Sequence, residues 1–189
     1  SKHPLPSIPY IREARRPVCE YTMTQNDLLS DRYKDDTVII TDYGIDVHSR
    51  RHASDGNEIG KPDGSQLSNE ERESLALRLP AQVPYQAFIP KDIDNFINGI
   101  PSSTHIAWGG LRLEPFLGAA GQMIGEVADI CKDKNIEPRD VVVSELQARL
   151  RNLGAVLDLP SRKVLVAQRA ELNNPAIPTF LAKAETKPT

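Results

Sequence analysis

Cysteine is scarce: only Cys19 and Cys131 occur, far apart and without CxxC spacing. That argues against a disulfide framework and for free, buried thiols of the kind kept in a reducing, cytoplasmic setting. Neither has a basic neighbour in sequence that would mark a reactive thiolate. No apolar run approaches the roughly 18 residues of a membrane span. There is no surplus of positive charge: 23 Lys and Arg stand against 26 Asp and Glu, a formal charge of -3. A general nucleic-acid binder, which works by displacing counterions, is therefore excluded. Residues 1–10 lack both the apolar core of a signal peptide and an initiator Met, so a trimmed, processed or fragmentary chain is expected. Internal repeats and low-complexity tracts are absent. What remains is 189 residues, 39% hydrophobic. That suffices for the core of one ordinary domain or of a piece of a larger one.

The first third reads as extended structure. Pro4, Pro6 and Pro9 stiffen the start, and Arg12, Arg15 and Arg16 form a basic cluster. Thr24 with Asp27 three residues on predicts a capped short helix or turn. Thr37 to Tyr43 is the clearest strand, β-branched and aromatic, and alternation resumes from Ile45 to His48 after Gly44. Residues 49–74 are polar, with Ile59 and Leu67 their only aliphatic side chains, and predict a solvated loop, a lid or an interaction segment. Two short strands are expected at Ala87–Pro90 and Asn95–Gly99, then a loop over 101–114. Pro115 opens a helix to about Lys134, carried by Phe116, Leu117, Met123, Ile124, Val127 and Ile130. Ser144 with Gln147 predicts a second capping box, and Gly154 the end of that helix. One mixed segment, Lys163 to Leu172, precedes a Pro-punctuated end.

The stretch from Gly109 to Gly125 carries the most chemistry. Three glycines inside one helix cost about 3 kcal/mol relative to alanine. Gly118, Gly121, Gly125 and Ala128 recur at spacings of three and four and share one smooth face. Such a face admits a backbone, a second helix or a flat ligand; packing of helix on sheet accounts for it equally well. At the same end the first-turn N–H groups and the helix dipole suit a phosphate or the carbonyl edge of a flavin. Arg112 adds a fixed cation, or else an ion pair with Glu114 or Asp94.

In order along the chain, several segments resemble the C-terminal half of a bacterial family of FAD-dependent oxidoreductases with a glutathione-reductase-like FAD-binding fold. They are Ile8 to Arg16, Thr22-x-Thr24 with Asp27, and Tyr43-Gly44-Ile45-Asp46-Val47-His48-Ser49. Pro84 to Pro90 is similar to the strand leading to the flavin site, and Asp94 to Gly99 to the strand that re-enters the nucleotide-binding domain. Ser103 to Ala107, Leu111-Arg112 and Gly118 to Gly125 resemble the loop and helix that cover the flavin, and Glu145 to Leu157 the terminal helix. The resemblance covers residues 8–158.

It implies a mixed α/β piece of a two-domain enzyme. Residues 1–90 would form a substrate-side, β-rich region, residues 91–158 the end of the FAD domain and residues 159–189 a tail. It implies FAD as cofactor, a small organic substrate, and flavin contacts from Thr104, Gly109, Gly110, Leu111, Arg112, Gly118, Gly121 and Gln122. The sequence departs from the family in two places. No GxGxxG turn for the FAD pyrophosphate occurs, so a second polypeptide carrying that Gly-rich half is expected as partner. The re-entrant segment ends Asn98-Gly99-Ile100 where the family has Ala-Gly-Arg, which leaves a non-catalytic partner subunit as the alternative. For acid–base work His105, just before the flavin-covering helix, is the first candidate. His48 with Asp46, on one face of their strand, is the second. No metal site is expected.

Overall fold

The computed structural model describes residues 15–30, 34–45, 50–51, 58–59 and 79–172. The first ordered piece is helix α1 (Gln25–Leu29). The Asp27 carboxylate accepts the Thr24 backbone N–H and hydroxyl, both at 2.7 Å, as the Thr24-x-x-Asp27 spacing predicts. Strand β1 (Thr37–Thr41) follows, shorter by two residues than the apolar run suggests. It pairs antiparallel with β4 (Ala81–Pro84) in the register Ile39↔Val83, Ile40↔Gln82 and Thr41↔Ala81, with an irregularity between Thr37 and Ile39. Inside the polar stretch two short strands, β2 (Arg50–Arg51) and β3 (Glu58–Ile59), make a separate antiparallel pair.

Two expected strands are not strands. Residues Tyr85–Phe88 form a 3-10 turn instead of extended chain. Tyr85, Ala87 and Phe88 are all buried, and the turn closes where the Ile89 N–H donates to the Gln86 carbonyl. The segment Asn95–Gly99 is irregular. Asn95 takes a left-handed φ of 49°, and the backbone is tied where the Asn95 N–H donates to Glu137 Oε2 at 3.3 Å and the Asn98 N–H to the Phe88 carbonyl at 2.9 Å. No strand edge lies beside it among the described residues, so the re-entrant strand is not formed there. The expected loop over 101–114 also contains a helical turn, α2 (His105–Trp108).

Helix α3 (Glu114–Lys134) starts with Pro115 in its first turn and ends at Asn135 with φ 52°, a left-handed C-cap. Phe116, Ala120, Met123, Val127 and Ile130 are its buried residues. That three- and four-residue spacing lays one stripe against the β1–β4 pair. Helix α4 (Val143–Asn152) buries Leu146 and Leu150 beside it. Its N-cap is Val142 rather than the expected Ser144. Gln147 bonds out of the helix instead, donating to the Asp35 and Thr37 carbonyls at 2.7 and 2.9 Å. Helix α5 (Arg162–Leu172) completes the described chain. The result is a mixed α/β arrangement with one continuous apolar core from Met23 to Leu157. Phe88 and Phe116 stack at its centre, ring centroids 6.5 Å apart.

Candidate functional site

The Gly109–Gly110 pair sits in a tight turn between α2 and α3. Gly109 and Gly110 donate to the carbonyls of Ile106 and Ala107 at 3.1 and 3.0 Å. The turn is clamped to the end of β1, where the Thr41 hydroxyl donates to the Gly110 carbonyl at 2.6 Å. A Cβ on Gly110 would lie 3.1 Å from the Tyr43 carbonyl and 3.3 Å from Leu28 Cδ1. Glycine is needed here because the chain packs on itself, so this residue's lack of a side chain serves the fold. Leu111 is fully buried beneath it, and Arg112 is half-buried one residue before the N-cap.

That N-cap is Leu113, which has no side-chain oxygen to offer the first-turn N–H groups of α3. Beside it opens an apolar cleft of about 220 Å³, lined by Ile40, Thr41, Asp42, Tyr43, Leu113, Pro115 and Phe116. The end of β1 and the start of α3 thus enclose a space that the core does not fill.

The glycine stripe of α3 faces outward. Gly118, Gly121, Gln122, Gly125 and Ala128 are exposed, and a Cβ on any of these three glycines would meet nothing within 4 Å. Packing of helix on sheet therefore does not account for it, since the sheet-facing stripe is the separate Phe116 to Ile130 set. The face is open, with Leu117 at its margin 37% exposed.

On the other side, α2 presents His105, half-buried, behind the exposed Thr104. Thr104 caps α2, its hydroxyl accepting the Ala107 N–H at 3.4 Å. Its own N–H donates to the Met23 carbonyl at 2.8 Å, and Thr22 Oγ1 lies 3.0 Å from Ser102 Oγ. The Thr22-x-Thr24 and Ser103–Ala107 segments are thereby brought together. Two buried polar atoms of this loop, Ser103 Oγ and Trp108 Nε1, have no hydrogen-bond partner, which is costly unless a bound group supplies one. Asp46 and His48 lie outside the described residues.

Sequence reasoning missed three polar features. Tyr21 OH donates to the buried Asp27 at 2.5 Å, and Lys34 Nζ donates to both, at 2.7 and 2.9 Å. Burial opposes the charge on Asp27, but the bonds from Tyr21, Lys34 and Thr24 outweigh it and hold the carboxyl below its ordinary value. Burial raises the thiols of Cys19, which is buried, and of Cys131, which is half-buried rather than buried as expected, above their ordinary values. Arg162, 2% exposed, reaches the Pro80 and Leu28 carbonyls at 3.1 and 2.7 Å. Arg169 pairs with Asp42 at 2.9 Å on the rim of the cleft. No local spacing in the sequence signals these contacts. Among the described residues no helix is long and apolar enough to cross a membrane.

Residues 3–150 match the model of a family described as FAD dependent oxidoreductase. Comparison with curated proteins gives no match, and comparison with solved structures gives none.

Proposed function

The chain belongs to the FAD dependent oxidoreductase family, and from that premise we propose that it completes the ring end of a flavin site and the adjoining substrate space. The observation that carries this reading is the outward glycine face of α3, open at Gly118, Gly121 and Gly125. Interior glycines cost helix stability, and no packing inside the described fold offsets that cost. A flat ring laid on this face would use it. The partnerless donors Ser103 Oγ and Trp108 Nε1 lie in the α2 loop, a separate place from this face, and would suit an acceptor atom of a bound group there. The residues fit that end only. The sequence has no GxGxxG turn for the pyrophosphate, so the reading requires a Gly-rich element supplied by other polypeptide, in a two-domain flavoprotein whose C-terminal part this is.

When bound, FAD accepts a pair of electrons from an organic donor. The chain's own residues do the rest. Thr104 before α2 and Gly109, Gly110 and Leu111 between α2 and α3 would shape the wall, and Gln122 borders the open face. Arg112 would supply the positive charge for a reduced ring, the start of α3 adding little beside Glu114. His105 takes the substrate's proton at an imidazole nitrogen, the side chain suited to that work near neutral pH. The alternative base is His48, with Asp46 as its partner in sequence, both outside the described residues. One observation favours a second reading, a partner subunit that has lost the cofactor. Asn98 and Ile100 form a closed turn, Nδ2 donating to the Ile100 carbonyl, where the family has a strand ending in arginine.

The test is the visible absorption spectrum and intact mass of natively purified material. Two-banded flavin absorption with a second, Gly-rich polypeptide is the expected result. Arg112→Ala should weaken flavin retention about tenfold, the worth of one charge-assisted hydrogen bond. Colourless protein that takes up no added FAD in the presence of its co-purifying chains overturns the reading.

A further inference from the structure

The cleft at the end of β1 has a chemistry of its own. Its lining residues are Ile40, Tyr43, Leu113, Pro115 and Phe116, with Thr41 and Asp42 completing them. Thr41 adds little polarity, because its hydroxyl is spent on the Gly110 carbonyl. Pro115 has no N–H, so the first turn of α3 offers fewer donors than a helix start usually does. Glu114, in that same turn, sets a negative charge against the positive end of the helix. Arg112 is not part of the wall. Among the described residues of the wall, the only formal charge is the Asp42 carboxylate.

Asp42 already holds a cation, Arg169 Nη2 at 2.9 Å, between side chains 62% and 32% exposed. Ion pairs this exposed are weak, so an ammonium group can take the guanidinium's place, supported by the neighbouring Tyr43 ring. The space of about 220 Å³ is smaller than the roughly 300–1,000 Å³ of drug-sized sites. An apolar cavity of about 150 Å³ accepts one benzene, so a single ring with a short arm is the right size. We infer that the cleft binds a small primary amine with a one-ring apolar body, its ammonium on Asp42 in place of Arg169 and its ring against Phe116 and Ile40. The inference rests on the flavoprotein reading only in making that amine the organic substrate.

Benzylamine is the probe, titrated calorimetrically into the full chain with its co-purifying partners, beside benzyl alcohol and benzoate. Saturable benzylamine binding about threefold tighter than that of either analogue is expected, the worth of one exposed ion pair. Asp42→Asn should weaken benzylamine about threefold, and Arg169→Gln, which removes the competing cation, should tighten it by a similar factor. Both positions are exposed, and the analogue series on the unaltered chain needs no variant. No binding, equal affinity for benzyl alcohol, or an unchanged affinity in Asp42→Asn overturns the inference. Flavin content is read separately by absorption. Colourless protein that binds benzylamine sinks the flavin reading alone, whereas yellow protein that does not bind it sinks the amine site alone.

Discussion

Asp27 is 2% exposed yet carries a charge, which burial alone would forbid. It keeps the charge because Tyr21 OH, Lys34 Nζ, and the Thr24 N–H and hydroxyl all donate to it, at 2.5 to 2.9 Å. The ionised form is thus favoured in the folded state, and the folded value lies below the ordinary one. Its contribution is complete above the unfolded carboxylate value, about 3.9, and drains away as pH falls through the lower folded value. Asp27→Asn keeps the shape, removes the charge and leaves Lys34 facing an amide. Unfolding free energy at neutral pH should drop by about 3 kcal/mol. The acid-side decline should also flatten relative to the parent, as urea unfolding from neutral pH down to about pH 3 will show. A decline as steep in the variant as in the parent would assign it to other groups. Half of this cluster was legible in advance. The Thr24–Asp27 pair is a capping spacing, whereas Tyr21 before α1 and Lys34 after it stand six and seven residues from Asp27, spacings that no local motif marks.

At the scale of the element, α3 divides its small and large residues between two faces. The apolar spacing from Phe116 to Ile130 made the helix and its inner stripe readable, because periodic burial is written in side-chain type. Gly118, Gly121 and Gly125 could be read as sharing a face but not as facing out, since glycine carries no polarity to say which way it points. Short apolar runs were misread for a related reason. Ala87–Pro90 and Asn95–Gly99 are too brief for periodicity to separate strand from turn, and in the first the backbone closes into a 3-10 turn over Tyr85–Phe88. The glycines of the two settings should respond oppositely to a methyl group. Gly121→Ala meets open space and should stabilise the fold by about 0.8–1 kcal/mol. Gly110→Ala pushes on the Tyr43 carbonyl, a backbone atom 3.1 Å from the new Cβ, and should destabilise it by about 1–3 kcal/mol. Paired denaturation curves check both. Bulk on the outer face separates structure from function: Gly121→Leu should stay folded while losing flavin. Full flavin content in that variant would remove the ring from this face.

Across the whole molecule, early and late segments are joined by side chains that reach for distant carbonyls. Gln82 Nε2 donates to Leu157 at 2.9 Å, Tyr85 OH to Pro138 at 2.7 Å, and Gln147 to Asp35 and Thr37. These contacts span scores of residues and obey no local spacing, so the sequence could announce the elements but not how they are tied together. Arg162 is the most exposed to test of these ties, because it anchors α5. Its guanidinium donates to Pro80 and Leu28 from a site that is 2% exposed, and the Leu28 carbonyl belongs to the last turn of α1, where helix carbonyls lack internal partners. Arg162→Ala removes a charged donor from two carbonyls and should cost about 3 kcal/mol. Amide exchange in residues 163–172 should rise well beyond that global loss, while Met123 and Val127 in the buried face of α3 follow the global loss alone. Arg162→Lys should not restore protection, since an ammonium lacks the planar fork that spans both carbonyls. Release of α5 also carries Arg169 away from Asp42, so the same variant should raise benzylamine affinity as Arg169→Gln does. If α5 exchanges no faster than α3 in Arg162→Ala, the helix is held elsewhere, and the Asp42–Arg169 pair stands independent of this anchor.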